Sequence, residues 1–571
     1  MSTHTRDSLS SPRARGTARE LSAVARPLPN LFVRSFALIS VLYGALALLL
    51  ITSVQFGFIT AGAALLTGIL TAAVQFVVGP WILDLTLRFL YRIEWVSLES
   101  LPAHARTLVE RVCTKHRFRT PSFGIIPDGA PQAFTYGHHP SNARLVVSRG
   151  ILELLTPDEI DAVVAHELGH VRHWDMVVMT IAQVVPLVAY YIYRAAVDLA
   201  EERGKARAPA LLVALGAYVV FILSELTVLW FSRTREYYAD QFAARETNNP
   251  NALSAALVTI GYGLARGGAA TSAAPGMRPQ RSASGPGFAP LNIFDQRAAL
   301  NLVVSTQAGT RDGDFNRDVL QGALQWDLWN PWATFFEVQS THPLIAKRLE
   351  LLAAQAQSLG QTPLVVFDRK KPESYWDEFF IDLVVTVLPA LGLLLGVAIL
   401  GVLATTGNFN PRWLGSVFAL TGLAFLLKVR MAYRADRFPE RTVAELLQEV
   451  KVSPVRPVPT TISGTIIGKG VPGLIWSEDF VVRDSTGIIF LDYRQPFGLW
   501  EWLFGLLRAG SYQGKRVTVT GWFRRSPVPF IEISTIEAEG ASGARRCYVR
   551  PVKVLVGLAL VGLGVWILTS S

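Results

Sequence analysis

The chain has 571 residues, of which 50% are hydrophobic and only 17% charged. Soluble globular domains carry about a quarter charged residues, so a wholly soluble protein is excluded and membrane segments are expected. The net charge is +10, and the two cysteines, Cys113 and Cys547, form neither a metal-ligand pattern nor a disulfide framework, which fits a reducing compartment.

Residues 1–32 read as a disordered, basic, Arg- and Ser-rich tail. They are not a secretory signal, because the apolar run that follows is too long for a signal core. Apolar runs near 36–56, 59–83, 177–197, 210–231, 380–404, 413–427 and 552–569 approach membrane-spanning length. They give six or seven spans, the sixth being short unless it extends into Val429. Basic residues flank several of them: Arg6, Arg13, Arg15 and Arg26 before the first, Lys428, Arg430, Arg434 and Arg437 after the sixth, and Arg545, Arg546, Arg550 and Lys553 before the last. The positive-inside rule puts these groups, and with them every large polar block, in the cytoplasm. The loop EERGKARAPA runs against that reading, being external by this count yet holding three basic residues. Whether 177–231 fully crosses the membrane stays open at this point.

In chain order, two transmembrane helices occupy 33–90 and a first polar block occupies 91–176. There VERVCTKHRF reads as a helix, and FGIIPDGAPQAFTYGHHPSNARLVVSRGIL as two strands around a loop before a helix start. Thr156-Pro157-Asp158-Glu159 has the composition of a helix N-terminus: a Thr cap, Pro in the first turn, acids behind it. A hairpin of spans at 177–231 follows. The second polar block, 232–378, is helical in pattern around a low-complexity flexible loop at 267–290, and a second hairpin lies at 379–430. Residues 455–540 change character and read as five β-strands with an apolar helical insert, PFGLWEWLFGLLRAGS, between the third and fourth. That order resembles an OB-fold barrel. A last span lies at 552–569.

The helix opened at Thr156 contains AHELGH. Its His166 and His170 are four residues apart and share a helix face, so both imidazoles can aim at one cation. Glu167 lies where it can reach a water beside that cation and act as general base. A catalytic zinc ion takes three protein ligands and keeps a fourth position open. A chance H-E-x-x-H in a chain of this composition is expected on the order of 0.01 times. The third ligand must come from elsewhere, and the candidates are Asp175, Glu225, Glu236, Asp240 and Glu246. Glu236 and Asp240 are four apart on a polar helix, so one can ligate while the other buttresses a ligand histidine; as a plain surface pair they would instead meet Arg233 and Arg235.

HELGH, a hydrophobic hairpin, SRTREYYAD and STHPLIAKR, in that order over about 100–358, resemble the HtpX-like membrane zinc metalloproteases, gluzincins related to the CAAX prenyl endopeptidases. The resemblance implies one zinc ion per chain held by His166, His170 and Glu236, with Asp240 behind them. It implies that His342 and Arg348 stabilise the oxyanion or position substrate. It also implies that Gln132-Ala133-Phe134 lies on the strand that pairs with substrate backbone, although the family usually has Asn-Ala-Phe there. His138 and His139, which follow, read as loop residues rather than ligands.

The expected architecture is therefore an α-helical multi-pass membrane protein with an α-rich zincin core, a small β-sheet and a C-terminal OB-like barrel. The expected function is hydrolysis of peptide bonds in membrane or misfolded proteins, in the quality control that the resemblance implies. The expected place is the bacterial or archaeal cell (inner) membrane, with active site and barrel facing the cytoplasm. The rivals are a protease of narrow specificity, acting for example on prenylated or signalling proteins, and a non-catalytic zinc fold that presents the barrel. Lys515, Arg516, Trp522, Arg524 and Arg525 are a mix that suits single-stranded nucleic acid. A barrel that docks a protein partner or rests on membrane lipids is the preferred reading, and nucleic acid is not the expected partner.

Overall fold

In the computed structural model of the chain, the described residues are 31–55, isolated positions between 63 and 90, 92–127, 131–201, 207–270, 317–367, 373–434, 437–469, 480–496, 512–526, 528–540 and 543–570. The basic tail, most of the second apolar run, nearly all of the low-complexity loop and the helical insert of the barrel lie outside them.

The elements in order are α1 (Leu31–Gln55), β1 (Glu94–Val96), α2 (Ala103–His116), β2 (Ser122–Ile126), β3 (Ala133–Gly137), β4 (Ala143–Ser148), α3 (Arg149–Leu154), α4 (Pro157–Arg172), α5 (Asp175–Glu201), α6 (Arg207–Thr247) and α7 (Pro250–Ala270). Then come α8 (Arg317–Trp329), α9 (Pro331–Val338), α10 (Ile345–Ser358), α11 (Trp376–Thr405), α12 (Leu414–Ala432), α13 (Val443–Leu447), β5 (Val458–Lys469), β6 (Phe480–Arg483), β7 (Ile488–Asp492), β8 (Arg516–Ser526), β9 (Val528–Ala538), β10 (Arg545–Arg546) and α14 (Val549–Thr569). Among the described residues, five helices are long and apolar enough to cross a membrane: α5, α6, α11, α12 with the turn before it, and α14. The chain is an integral membrane protein. The sixth apolar run does continue past Val429, since α12 ends at Ala432.

The first sheet has the order β1-β2-β4-β3. Only β2 and β4 run parallel, and β3 is an outer strand. The stretch read as two strands contains three, β2, β3 and β4. The difference lies in AFTYG, five residues closed by Gly137 at φ +152°, where a Cβ would stand 2.5 Å from the Asn142 carbonyl oxygen. A run so short, bounded by Pro and Gly, carries little period-2 signal.

The helix α4 starts as its composition predicts, with the Thr156 N–H donating to Glu159 Oε2 at 2.8 Å and Pro157 in the first turn. It packs across α6 at Gly169, where a Cβ would lie 3.1 Å from Ala239 Cα. A core from α2, β4, α4, α7 and α10 supports this crossing from one side, with Val109, Leu145, Leu168 and Leu253 almost fully buried.

The C-terminal strands close into a barrel. β5 pairs antiparallel with β6, β6 with β7, and β8 with both β5 and β9, while β7 and β9 run parallel. That is the OB connectivity. The basic and aromatic residues whose mix would suit single-stranded nucleic acid do not share an exposed face. Trp522, Arg524 and Arg525 are only 3%, 5% and 0% exposed, and of the five residues just Lys515 and Arg516 lie on the surface. Trp522 Nε1 donates to the Arg434 carbonyl at 3.1 Å, and Arg524 donates to Glu532 at 2.8 Å and to the Ala432 carbonyl at 2.6 Å. Tyr433 hydrogen-bonds Glu532 and accepts from Lys553 of α14. These side chains fasten the barrel to the ends of α12 and α14, which removes the aromatic platform on which single-strand bases would stack.

α12 and α14 cross on glycines. A Cβ at Gly564 would meet Ala419 N at 2.4 Å and Gly415 O at 2.6 Å. Gly564→Leu is expected to force the pair apart and destabilise the membrane half by about 1–3 kcal/mol. The measurement is a lower unfolding midpoint in detergent, with bound zinc unchanged.

Candidate active site

His166 and His170 stand one turn apart on α4 with their Nε2 atoms 3.2 Å from each other. Glu236, on α6, closes the triangle: Oε2 is 3.5 Å from His166 Nε2 and Oε1 is 3.6 Å from His170 Nε2. Ligand atoms at 2.0–2.2 Å from a tetrahedral zinc ion lie roughly 3.3–3.6 Å apart. Each histidine nitrogen is thus near that spacing from one oxygen of the Glu236 carboxylate, and one ligand atom from each of the three residues lies within 4.8 Å of the others. Glu236 Oε2 is buried without a hydrogen-bond partner among the described residues, a cost that a cation in the triangle removes. Burial alone would push the His166 imidazole down, but Asp240 and Glu236 outweigh it and hold it up at about 9. His170 is instead pushed down to about 4, burial being the main cause. Two histidines and a buried carboxylate, with a carboxylate oxygen left for a cation, are a donor set that fits zinc.

The other nitrogen of each histidine is also held. His170 Nδ1 lies 2.6 Å from Asp175 Oδ2, and His166 Nδ1 lies 3.0 Å from Asp240 Oδ1. Partners of this kind fix the ring and raise its basicity as a ligand. Asp175 is not on the helix of the two histidines: α4 stops, Trp174 takes a left-handed φ of +61°, and Asp175 opens α5. The break turns the carboxylate back toward His170. Arg235 then pairs with Asp175 and donates to the His173 carbonyl at 2.7 Å.

Arg348 is 1% exposed and grips Asp240 with both arms, Nε to Oδ2 at 2.8 Å and Nη2 to Oδ1 at 2.6 Å. Its Nη1 is 3.4 Å from Glu236 Oε2. It therefore stands behind the three residues that could hold a metal ion, and its contacts reach them through Asp240 and Glu236. His342 places Nδ1 3.3 Å from Glu236 Oε1 and is buried. Of the remaining acidic candidates, Glu225 is exposed on the apolar part of α6, and Glu246 is bound by Lys115 and His116, each at 2.9 Å.

Glu167 points toward β3, where Thr135 Oγ1 donates to its Oε2 at 2.8 Å. On the same strand Ala133 and Phe134 are buried, and the Gln132 amide nitrogen is buried without a partner among the described residues. β3 offers its outer edge to no other described strand. His139 is exposed and His138 half-buried in the loop beyond, away from the metal triangle.

The sequence reading did not find Thr135, Arg233 or the orienting role of Asp175. The signals were slight: a hydroxyl two positions past Ala133, and arginines three residues and one residue before Glu236. Arg233 turns inward and donates from Nη1 to the carbonyls of Glu337 at 2.6 Å and Ser340 at 2.7 Å, holding the loop that carries His342.

Asp175→Asn is expected to weaken zinc binding by about 10- to 100-fold, measured by competition with a chelator. Glu236→Gln should abolish stoichiometric binding in the same assay, while Glu167→Gln keeps it.

Comparison with known proteins points the same way. The model of peptidase family M48 matches residues 102–356. A protease HtpX homolog of Methanothermobacter thermautotrophicus is 34% identical over 186 residues, which are 33% of this chain and 68% of the relative. One of Aeropyrum pernix is 29% identical over 314 residues, 52% of this chain and 88% of the relative. The crystal structure of S. mikatae Ste24p overlaps 42% of this chain and 59% of its own, at 18% identity and a TM-score of 0.28.

Proposed function

This chain belongs to the HtpX-like proteases of peptidase family M48, and from that membership we propose that it is a zinc endopeptidase cutting membrane or misfolded proteins at the cytoplasmic face of a bacterial or archaeal cell membrane. The observation that carries the proposal is the cluster, the one of its kind among the described residues, in which His166, His170 and Glu236 converge within 4.8 Å, with Glu167 beside them and hydrogen-bonded to Thr135 of the outer strand β3.

Zinc, when bound by these three residues, supplies a Lewis acid that polarises the scissile carbonyl and lowers the pKa of water. The rest is the work of the chain. Thr135 occupies Glu167 Oε2 and so fixes the carboxylate plane. That leaves Oε1 to take the proton from the attacking water and carry it to the leaving amine. His342 stands beside Glu236, its Nδ1 3.3 Å from Oε1, and serves as the donor to the developing oxyanion. Arg348 acts through Asp240 and Glu236, holding the ligand set rather than touching substrate.

An extended substrate adds to β3 as a further antiparallel strand. Backbone pairing gives affinity with little regard to sequence, which suits unfolded or extracted segments. The buried Gln132 amide faces no partner of its own and provides a contact for that strand. The basic flanks of the spans support the cytoplasmic orientation. The burial of Trp522, Arg524 and Arg525 among the described residues of the barrel weighs against these side chains serving a nucleic-acid partner. A narrow-specificity protease remains the second reading, favoured by Gln132 in place of the usual Asn.

A time course of casein loss with the purified protein in detergent and zinc tests this. Loss is expected with the wild type and not with Glu167→Gln. No cleavage by either, with one zinc per chain bound, points to narrow specificity, and equal cleavage by both overturns Glu167 as base. Thr135→Val should lower kcat by about tenfold with zinc retained, the value of one hydrogen bond to a charged group.

A further inference from the structure

We propose that the OB-like barrel is a working part of the protease, a brace that sets the position of His342 through Arg525. The proposal rests on the reading of His342 as a group at the reacting centre. The family match ends at residue 356, so the barrel is an addition to the matched catalytic region. It is nonetheless not a tethered module. Leu344, two residues after His342, lies in one continuous hydrophobic core with Trp332 of α9, Trp326 of α8, and Leu446, Ile462 and Phe523 of the barrel and the helix before it.

Arg525 is the centre of this contact. It is completely buried and donates from Nη2 to the Ala323 carbonyl at 3.0 Å and from Nη1 to the Leu447 carbonyl at 3.4 Å. Its guanidinium lies over the Trp326 ring at 4.7 Å and pairs with Asp327 at 3.6 Å. One planar group thus joins β8 to α8 and to the end of α13, a geometry that an ammonium cannot reproduce. α8 is tied a second time: Trp326 Nε1 donates to the Val452 carbonyl at 2.8 Å, and Asn330 Nδ2 to the Val450 carbonyl at 2.7 Å. The same Asn330 caps α9, accepting from Trp332 N at 2.9 Å.

α9 leads directly into the loop of His342. At its end Glu337 accepts from Leu344 N at 3.1 Å, and Arg233 holds the Glu337 and Ser340 carbonyls from α6. The loop is therefore clamped between two bodies: the helix that carries the ligand Glu236, and the barrel. His342 Nδ1 sits 3.3 Å from Glu236 Oε1, and in this proposal the two clamps together keep it there. Positioning errors of about 1 Å at such a donor cost about 100-fold in rate.

The test is a double-mutant cycle on the full chain in detergent with zinc and a quenched fluorogenic peptide. The proteins are wild type, Arg525→Gln, His342→Ala and the double variant. Arg525→Gln is expected to lower kcat by about 10- to 100-fold with KM within about twofold and one zinc per chain retained. The double variant should be no slower than His342→Ala, because the brace then has nothing left to position. Arg525→Lys should fall between wild type and Gln. Multiplying losses in the double variant, or an unchanged kcat in Arg525→Gln, would overturn the brace while leaving the proposed function intact. An unchanged kcat in His342→Ala would instead sink the role of His342 and the brace with it. If Arg525→Gln does not fold, the same cycle with Trp326→Phe, which deletes the hydrogen bond to the Val452 carbonyl and leaves a smaller aromatic ring beneath Arg525, gives the answer: no further loss on top of His342→Ala supports the brace, and a full additional loss overturns it.

Discussion

Two carboxylates one turn apart, Glu236 and Asp240, are 5% and 0% exposed, and the catalytic half of the molecule is arranged around neutralising them. A buried charge without a partner costs several kcal/mol. Asp240 is answered by both arms of Arg348 and by His166. Glu236 is answered by Arg348, by His342 and by the two histidines of α4 only at a distance, which leaves room for a dication between them. α4 can come that close to α6 because Gly169 meets Ala239 without a side chain. Fold, metal affinity and the placing of the catalytic groups are thus one electrostatic problem with one solution.

The arrangement also explains why so many residues away from the reaction are charged and buried. Arg235 neutralises Asp175, which holds His170. Arg233 donates to carbonyls at the end of α9 and in the loop after it. Arg525 does the same for the end of α13 and for α8. Each guanidinium couples one structural element to another, and its planar fork is what lets one side chain join the two.

What was legible in the sequence was whatever repeats at fixed spacing within one element. His166 and His170 are read from a helix period, Glu236 and Asp240 from another, and the barrel from alternating strands. Thr156 and Glu159 announce the helix that carries the motif. What was not legible depends on a change of direction. Asp175 is near His170 only because the chain reverses at Trp174, an αL residue that is not glycine and so gives no warning. Arg233 and Arg235 look like surface charges on a polar helix until α9 and α5 are packed over them. Trp522, Arg524 and Arg525 look like a ligand face because side-chain type does not say whether the neighbour is a ligand or the rest of the protein. Glu236 as ligand came from resemblance, since spacing alone left five acids in contention.

α6 is one helix of 41 residues. It is apolar at its start, carries Glu236 and Asp240 near its end, and has no proline after Pro209. At about 1.5 Å per residue, Glu236 lies about 24 Å beyond Val220 along a rod without a joint. A tilt of about 2° about Val220 moves the carboxylate by about 0.8 Å, more than the roughly 0.5 Å within which a catalytic constellation must be held. Helices answer a change in bilayer thickness by tilting. The hydrocarbon around this protein is in that sense a mechanical element of its metal centre, and a thinner or thicker bilayer acts on the site as a lever does on its far end.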